Sequence, residues 1–161
     1  MISPVTWHLV TVPDPAPPPT PELAFLMAFW DAWQALASRG DVQLRERHGL
    51  DLRAFIALAY VQGSPMQPAG LAREVGVPPY EISRILAALE SRGAVTREHD
   101  GPDARRVTVT VTPAGRELWA QALGTAQAVI EPPLASLGPS LARMTQTLNI
   151  VAQAARQEPS P

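Results

Sequence analysis

The sequence predicts a mainly α-helical protein with a small β-hairpin wing, a winged helix-turn-helix between long N- and C-terminal helices. Two observations carry this prediction. Apolar residues recur at helical spacing in two segments of residues 68–93 that a glycine separates. The period then changes to an alternation of apolar and polar residues within residues 94–112, which is typical of a hairpin.

Length and composition are those of one globular domain. The chain has 161 residues, of which 46% are hydrophobic and 17% charged, so it can bury a sizeable core. No apolar run approaches the roughly 18 residues that can span a bilayer. No basic stretch precedes a hydrophobic one at the N-terminus. We therefore expect a cytoplasmic protein with no membrane contact.

The residue types indicate no metal site, cofactor or enzyme. Cysteine is absent, and the histidines His8, His48 and His99 lack metal-ligand spacing. No nucleophile with a base, paired carboxylates or Gly-rich phosphate loop is recognisable. The net charge of −2 argues against nonspecific coating of nucleic acid, although a specific binder needs only a local basic surface.

The N-terminal half is predicted to begin with an arm and continue with helices. Residues 1–21 are rich in proline, which cannot continue a helix, although residues 5–12 are β-prone and apolar enough to dock on the protein body. Caps and glycines then predict three helices. They run from Thr20-Pro21-Glu22 to Gly40, from Asp41 to a point before Gly49, and from Asp51 to Gly63.

A helix-turn-helix follows. Pro68 begins a short helix, Gly76 breaks it where the turn needs a positive φ, and a second helix ends at Gly93. In that second helix, helical spacing places four apolar residues inward: Ile82, Ile85, Leu86 and Leu89. Five residues then face outward, with Glu81 near the edge of that face: Tyr80, Ser83, Arg84, Ala87 and Ser91.

The wing and the C-terminal helices complete the prediction. Residues 94–98 form a strand, residues 99–105 contain a turn, and residues 107–112 alternate with valines inward and threonines outward. Thr112-Pro113 then caps a helix that Pro132-Pro133 stop, and a final helix spans about 139–156.

These segments resemble the MarR (multiple antibiotic resistance regulator) family of bacterial transcription factors over roughly residues 20–156. The matching stretches are LAREVGV, ISRILAALESRGAV and DGPDARRVTVTVTPAG. The most specific is the wing motif Asp103-Ala104-Arg105, followed by Pro113-Ala-Gly. The resemblance implies a single domain over 22–156, with the winged helix at about 52–112, dimerisation helices at about 22–39 and 113–156, and a tail at 157–161.

The resemblance further implies a homodimer whose two recognition helices enter successive major grooves of a palindromic operator. By family likeness Arg105 contacts DNA at the wing and Asp103 orients it, and an arginine at a hairpin tip suits the negative potential of a narrow minor groove. The predicted DNA-binding residues are Tyr80, Glu81, Ser83, Arg84, Arg97, Arg105 and Arg106, with Arg73 and Arg92 as weaker candidates. We expect a repressor.

Two features depart from the family pattern. The recognition helix begins Pro78-Pro79-Tyr80-Glu81, where relatives usually carry small hydroxyl or basic residues. Glu81 could accept a hydrogen bond from a cytosine amino group or could repel phosphate. Arg106 follows the wing motif where a small residue is common, and could add a phosphate contact.

Two interpretations remain open. The aromatic residues suit either a dimer-helix core or, with His48 and Arg53, a pocket for the small aromatic or phenolic effectors that relatives bind; the candidate pocket residues are Trp30, Trp33, His48, Arg53, Tyr60 and Trp119. The alternative function is a winged-helix protein-interaction module without specific DNA binding, which the acidic balance, Glu81 and the twin prolines would suit.

Overall fold

The computed structural model describes residues 18–99 and 107–157. Its elements, in chain order, are α1 (Pro21–His48), α2 (Leu52–Gly63), α3 (Pro68–Val75), α4 (Pro79–Ser91), β1 (Val95–His99), β2 (Val107–Val111), α5 (Pro113–Ala135) and α6 (Ser140–Gln157). This order confirms the predicted mainly α winged helix-turn-helix. Most of the predicted arm, the tip of the wing and residues 158–161 lie outside the described residues.

The chain divides into two compact units, residues 1–33 and 34–161, and the boundary falls within α1. In the first unit, every described residue, 18–33, is exposed. The buried core belongs to the second unit, where it is formed by residues from α1, α2, α3, α4, the hairpin and α5. Among the described residues, no helix is both long and apolar enough to cross a membrane, and no cluster of metal-ligating side chains occurs.

The hairpin packs its valines into this core. Strands β1 and β2 are antiparallel, with Val95 opposite Val111. Val109 is fully buried and Val111 nearly so, which confirms the predicted inward orientation of these two. Val109 also exchanges two backbone hydrogen bonds with Met66 on the other edge of β2, at 2.8 and 3.1 Å. This bridge holds the hairpin to the segment that precedes α3, and nothing in the alternation of residues indicates it.

The predicted break at Gly40 is wrong, because α1 is one helix of 28 residues. A glycine inside a helix costs only about 1 kcal/mol relative to alanine, which tertiary packing can offset. Gly40 and Leu44 are buried in α1. Asp41 does not cap a short helix of its own: its Oδ1 accepts a hydrogen bond from the amide of Leu52 at 2.8 Å, and its Oδ2 accepts one from Arg45 Nε at 2.7 Å.

The predicted end of α5 at Pro132-Pro133 is also wrong, because the helix continues through both prolines to Ala135. A proline removes one N–H donor from the helix but has a fixed φ that suits it. Both prolines lie in the last turn, so the helix ends within three residues of them, before Gly138 at φ 48°. The final helix, α6, has bounds within one residue of the prediction and buries none of its residues.

Because of Asp41, the stability of this region is expected to depend on pH in the acid range. The hydrogen bond from Arg45 lowers the pKa of the Asp41 carboxyl below its ordinary value; burial opposes that shift and the Leu52 amide adds to it. A lowered folded-state pKa stabilises the fold above the unfolded value, about pH 4, and the gain is lost as pH falls through the folded value.

We therefore expect Asp41→Ala to reduce the free energy of unfolding at pH 7 by about 1 kcal/mol, the usual cost of losing a side chain that satisfies a helix N-terminus. The difference from wild type should shrink as pH falls below about 4. Urea unfolding at a series of pH values measures both. Asp31→Ala, at an exposed aspartate of the same helix, is the control and should change stability little at pH 7.

Candidate nucleic-acid interface

The candidate interface is the exposed face of α4. Its inward face is confirmed, since Ile82, Ile85, Leu86 and Leu89 are all at most 5% exposed. The opposite face carries a stripe of four exposed residues, Tyr80, Arg84, Ala87 and Ser91, at positions i, i+4, i+7 and i+11. We call these four residues the reading stripe. Ser83 is exposed beside it.

The turn before α4 sets the direction of this stripe. Gly76 ends α3 with φ 72°, the left-handed region that only glycine adopts without strain. The amide of Val77 then donates to Ala72 O at 3.0 Å, and Ala72 is 4% exposed, as expected where two helices cross closely. The predicted helix-turn-helix is therefore present with the predicted small residue and glycine at its crossing and turn.

Two arginines from outside the stripe hold α4 at its two ends. Arg53 of α2 forms an ion pair with Glu81 in the first turn of α4, and the Glu81 side chain is only 13% exposed. Arg92, which follows α4, donates to the carbonyl oxygens of His48 at 2.6 Å and Gly49 at 2.9 Å, at the end of α1. A cation at a helix C-terminus also interacts favourably with the helix dipole. These contacts orient α4 on α1 and α2.

Arg97 of β1 lies against α4 from the hairpin side. Its Nη2 donates to Ser83 O at 3.4 Å, and its Nε lies 3.3 Å from Glu90 Oε2, an ion-pair contact without hydrogen-bond geometry. The guanidinium of Arg97 is therefore directed at the protein in this structure. Arg84 differs from it, because Arg84 is exposed and forms no hydrogen bond or ion pair with any described residue.

The remaining predicted contacts divide by their surroundings. Tyr80 is 75% exposed. The hydroxyl of Ser83 donates a hydrogen bond to Pro79 O of the same helix at 2.9 Å, so it is already engaged as a donor. The carboxylate of Glu81 is paired with Arg53. Arg105, Arg106 and Asp103 lie outside the described residues, and their predicted roles at the wing stay predictions.

A cleft of about 380 Å³ lies beside the first turns of α4, within residues 34–161. Its ionic lining comes from α1, the start of α2 and α4: Asp41, Arg45, Asp51, Arg53, Glu81 and Arg84. Arg45 is paired with Asp41 and lies 3.8 Å from Asp51, and Arg53 is paired with Glu81. With those groups matched, the unpaired cation of the cleft among the described residues is Arg84.

Of the predicted pocket residues, only Arg53 lines this cleft. His48 Nε2 lies 2.8 Å from Thr125 Oγ1 of α5, so its ring joins α1 to α5. Trp119 packs partly buried on the core, and its buried Nε1 has no hydrogen-bond partner among the described residues. Tyr60 is 39% exposed.

The other two predicted pocket residues, Trp30 and Trp33, belong to the first unit and are 57% and 45% exposed. Of the six predicted pocket residues, Trp30 and Trp33 lie outside residues 34–161. The four that lie within residues 34–161 do not line one common cavity among the described residues. Their assignment to an effector pocket stays a prediction.

Sequence reasoning misses the residues that position α4. The sequence pattern favours Arg92 only as a weak DNA contact, and Arg53 only as a pocket residue. No local signal distinguishes an arginine that caps a distant helix from one on a free surface, because the partner carbonyls lie 43 and 44 residues away in sequence. The sequence offers one hint of the role of Arg53, which is Glu81, the third residue of α4. A carboxylate at that position needs either a positively charged partner or exposure to solvent.

Comparison with known proteins finds a family match in this region. Residues 48–106 match the sequence model of the MarR family. The HTH-type transcriptional repressor Rv2887 of Mycobacterium tuberculosis is 37% identical over 71 residues, which cover 44% of this chain and 51% of the repressor. The chain thus matches about half the length of this curated relative.

Solved structures extend the likeness to most of the described residues. The Mycobacterium tuberculosis MarR-family protein Rv2887, in complex with p-aminosalicylic acid, superposes with a TM-score of 0.66 at 29% identity, covering 81% of this chain and 98% of that one. Sco3205, a MarR-family transcriptional regulator from Streptomyces coelicolor in complex with DNA, superposes with a TM-score of 0.74 at 21% identity, covering 88% and 94%. The second likeness concerns the fold alone.

Proposed function

From the match of residues 48–106 to the MarR family of transcriptional regulators, we propose that the protein is a homodimeric, non-enzymatic repressor. It would bind a palindromic DNA operator and release it when a small aromatic or phenolic effector binds. The observation that carries this proposal is the reading stripe, an exposed face of α4 with one unpaired arginine, on a helix held at both ends by other residues.

The chemistry of α4 supports reading of DNA. A recognition helix enters the major groove with its N-terminal residues on base edges, and an arginine there can donate two hydrogen bonds to guanine. Arg84 is free for that contact among the described residues, while Arg53, Arg92 and Arg97 are engaged with the protein. Arg105 and Arg106 would supply wing contacts with the minor groove and phosphates.

Uncovered apolar helices support a dimer. Helix α6 buries none of its residues. Four of its large apolar residues are 37–67% exposed: Leu141, Met144, Ile150 and Val151. In the first unit the side chains of Leu26, Trp30 and Trp33 are likewise about half exposed. Apolar surfaces of this extent on helices mark protein interfaces, and a second copy offers the same surfaces in return.

The ionic cleft beside α4 supports release by an anionic aromatic effector. A carboxylate that enters the cleft meets Arg84, which has no other partner among the described residues, and Arg53, whose partner is Glu81. Arg84 cannot bind the effector and a base at once, so the effector binds the DNA-free state more tightly, as release requires. The p-aminosalicylic acid complex of the related protein is consistent with this ligand class.

Selection of genomic fragments on the purified full chain tests the proposal. We expect enrichment of a palindrome whose half-sites have centres about 10 base pairs, or a multiple of that, apart, since two symmetric recognition helices are separated by about one helical turn of DNA. Recovery of no common sequence, together with weak binding that hardly changes with added salt, would favour the protein-interaction module instead.

A further inference from the structure

Tyr80 is an aromatic side chain that the described residues leave largely uncovered. Among the described residues, it is the most exposed of the large apolar side chains, at 75%. It lies in the first turn of α4, next to Pro78 and Pro79, which are also exposed. Pro78 and Pro79 are the N-cap and the first residue of α4, where the fixed φ of proline suits the start of a helix. The ring of Tyr80 has no such role among the described residues, and an exposed aromatic group beside other exposed apolar groups indicates a contact surface.

On α4 itself, the immediate surroundings of Tyr80 are mainly apolar. The first turn of α4 contains no basic residue, and its one acid, Glu81, is neutralised by Arg53 and 13% exposed. The exposed groups at this end of the stripe are the tyrosine ring and the two proline rings. Ala69 and Arg73 of α3 line the same surface as the prolines. The nearest free charge on the stripe is Arg84, one helical turn further along.

The apolar group that DNA presents in the major groove is the C5 methyl of thymine. Resting on the proposed DNA-binding function, we propose that Tyr80 is a specificity-determining residue whose ring packs on a thymine methyl, so that each half-site carries an A·T pair at the position next to the base contacted by Arg84. The arrangement of the stripe, with an apolar residue one turn before an arginine, orders these two contacts along the helix.

The test uses deoxyuridine, which lacks only the C5 methyl of thymine. In the operator recovered by fragment selection, thymines are replaced one position at a time and the dissociation constant of the full-length protein is measured at fixed salt. At one position per half-site, we expect the replacement to weaken wild-type binding about fourfold, the effect of exposing one buried methyl-sized group. Replacement of thymines in the flanking DNA is the control.

Two variants separate the ring from the hydroxyl. Tyr80→Phe keeps the ring and should retain both the affinity and the fourfold preference for thymine. Tyr80→Ala should bind the thymine operator more weakly and no longer distinguish it from the deoxyuridine operator. Circular dichroism of both variants checks that α4 is intact.

The inference is overturned if wild type binds the operator specifically but ignores every deoxyuridine replacement. It is overturned equally if Tyr80→Phe weakens binding as much as Tyr80→Ala, because that result would assign the hydroxyl to a phosphate. Failure of the proposed function looks different, since no sequence would then be enriched at all.

Discussion

Gly115→Ala is expected to destabilise the protein by about 2–3 kcal/mol, because a Cβ at this position would overlap the backbone of the hairpin. The new atom would collide with the carbonyl oxygen of Ala94 and lie 2.9 Å from Cγ2 of Val111. Neither neighbour is the flexible end of a long side chain. Relief would require α5 to move away from the hairpin.

That movement would also disturb the junction between β2 and α5. Thr112 caps α5 by accepting a hydrogen bond from the Gly115 amide at 3.0 Å, and its own amide donates to Ala94 O at 3.0 Å. The same carbonyl of Ala94 therefore meets both the cap residue and the glycine. Loss of such a cap alone costs about 1 kcal/mol.

Gly124→Ala is the matched control, since it is the same substitution in the same helix, and no described residue outside the adjoining helix backbone comes within 4 Å of the added Cβ. It should leave stability unchanged or raise it by up to about 1 kcal/mol through helix propensity. Urea unfolding of both variants at one protein concentration measures the difference. Equal midpoints for the two variants would contradict the close packing of α5 on the hairpin.

Arg84→Ala is expected to weaken operator binding by about 10- to 100-fold, the effect of losing a bidentate contact with one base. The reason is that Arg84 is the stripe's only cation and forms no pair with the described residues, so its loss takes nothing from the fold that those residues show. Fluorescence anisotropy on the selected operator at several salt concentrations gives both the affinity and its salt slope. A base contact also predicts relaxed selection at one position of the half-site.

Arg39→Ala removes the same charge from an exposed position on α1 and serves as the control. If charge alone mattered, both variants would weaken binding alike and lower the salt slope by about one unit. Arg84→Ala binding the operator as tightly as Arg39→Ala would therefore contradict the assignment of Arg84 as a base contact.

Local patterns are sufficient for the elements that form the winged helix. The turn at Gly76 and the inward face of α4 follow from positive φ and from helical spacing, and the Asp51 and Thr112 caps follow from short side chains that accept from nearby amides. Each depends on residues at most a few positions apart. For the same reason, the exposed stripe that contains Tyr80 and Arg84 is predictable from helical spacing alone.

Helix ends depend on more than local signals. The sequence predicts that Gly40 and Pro132-Pro133 end helices, yet α1 and α5 continue past them. The free-energy cost of a glycine, or of a proline near a helix end, is small compared with the gain from packing a whole helix. A short stretch of sequence does not reveal that packing. Asp41 illustrates the same limit, because its side chain serves the N-terminus of α2 and not that of a helix beginning at its own position.

The sequence by itself determined the winged helix-turn-helix and which face of α4 is exposed, because periodicity and capping are properties of neighbouring residues. Only the tertiary structure decided which charges on and around that face remain free. Arg53, Arg92 and Arg97 form hydrogen bonds with residues that lie 14 to 44 positions away in the sequence. Arg84 forms none with the described residues. Those pairings depend on how helices pack against one another, and among the described residues they leave Arg84 as the unpaired cation on the exposed face of α4.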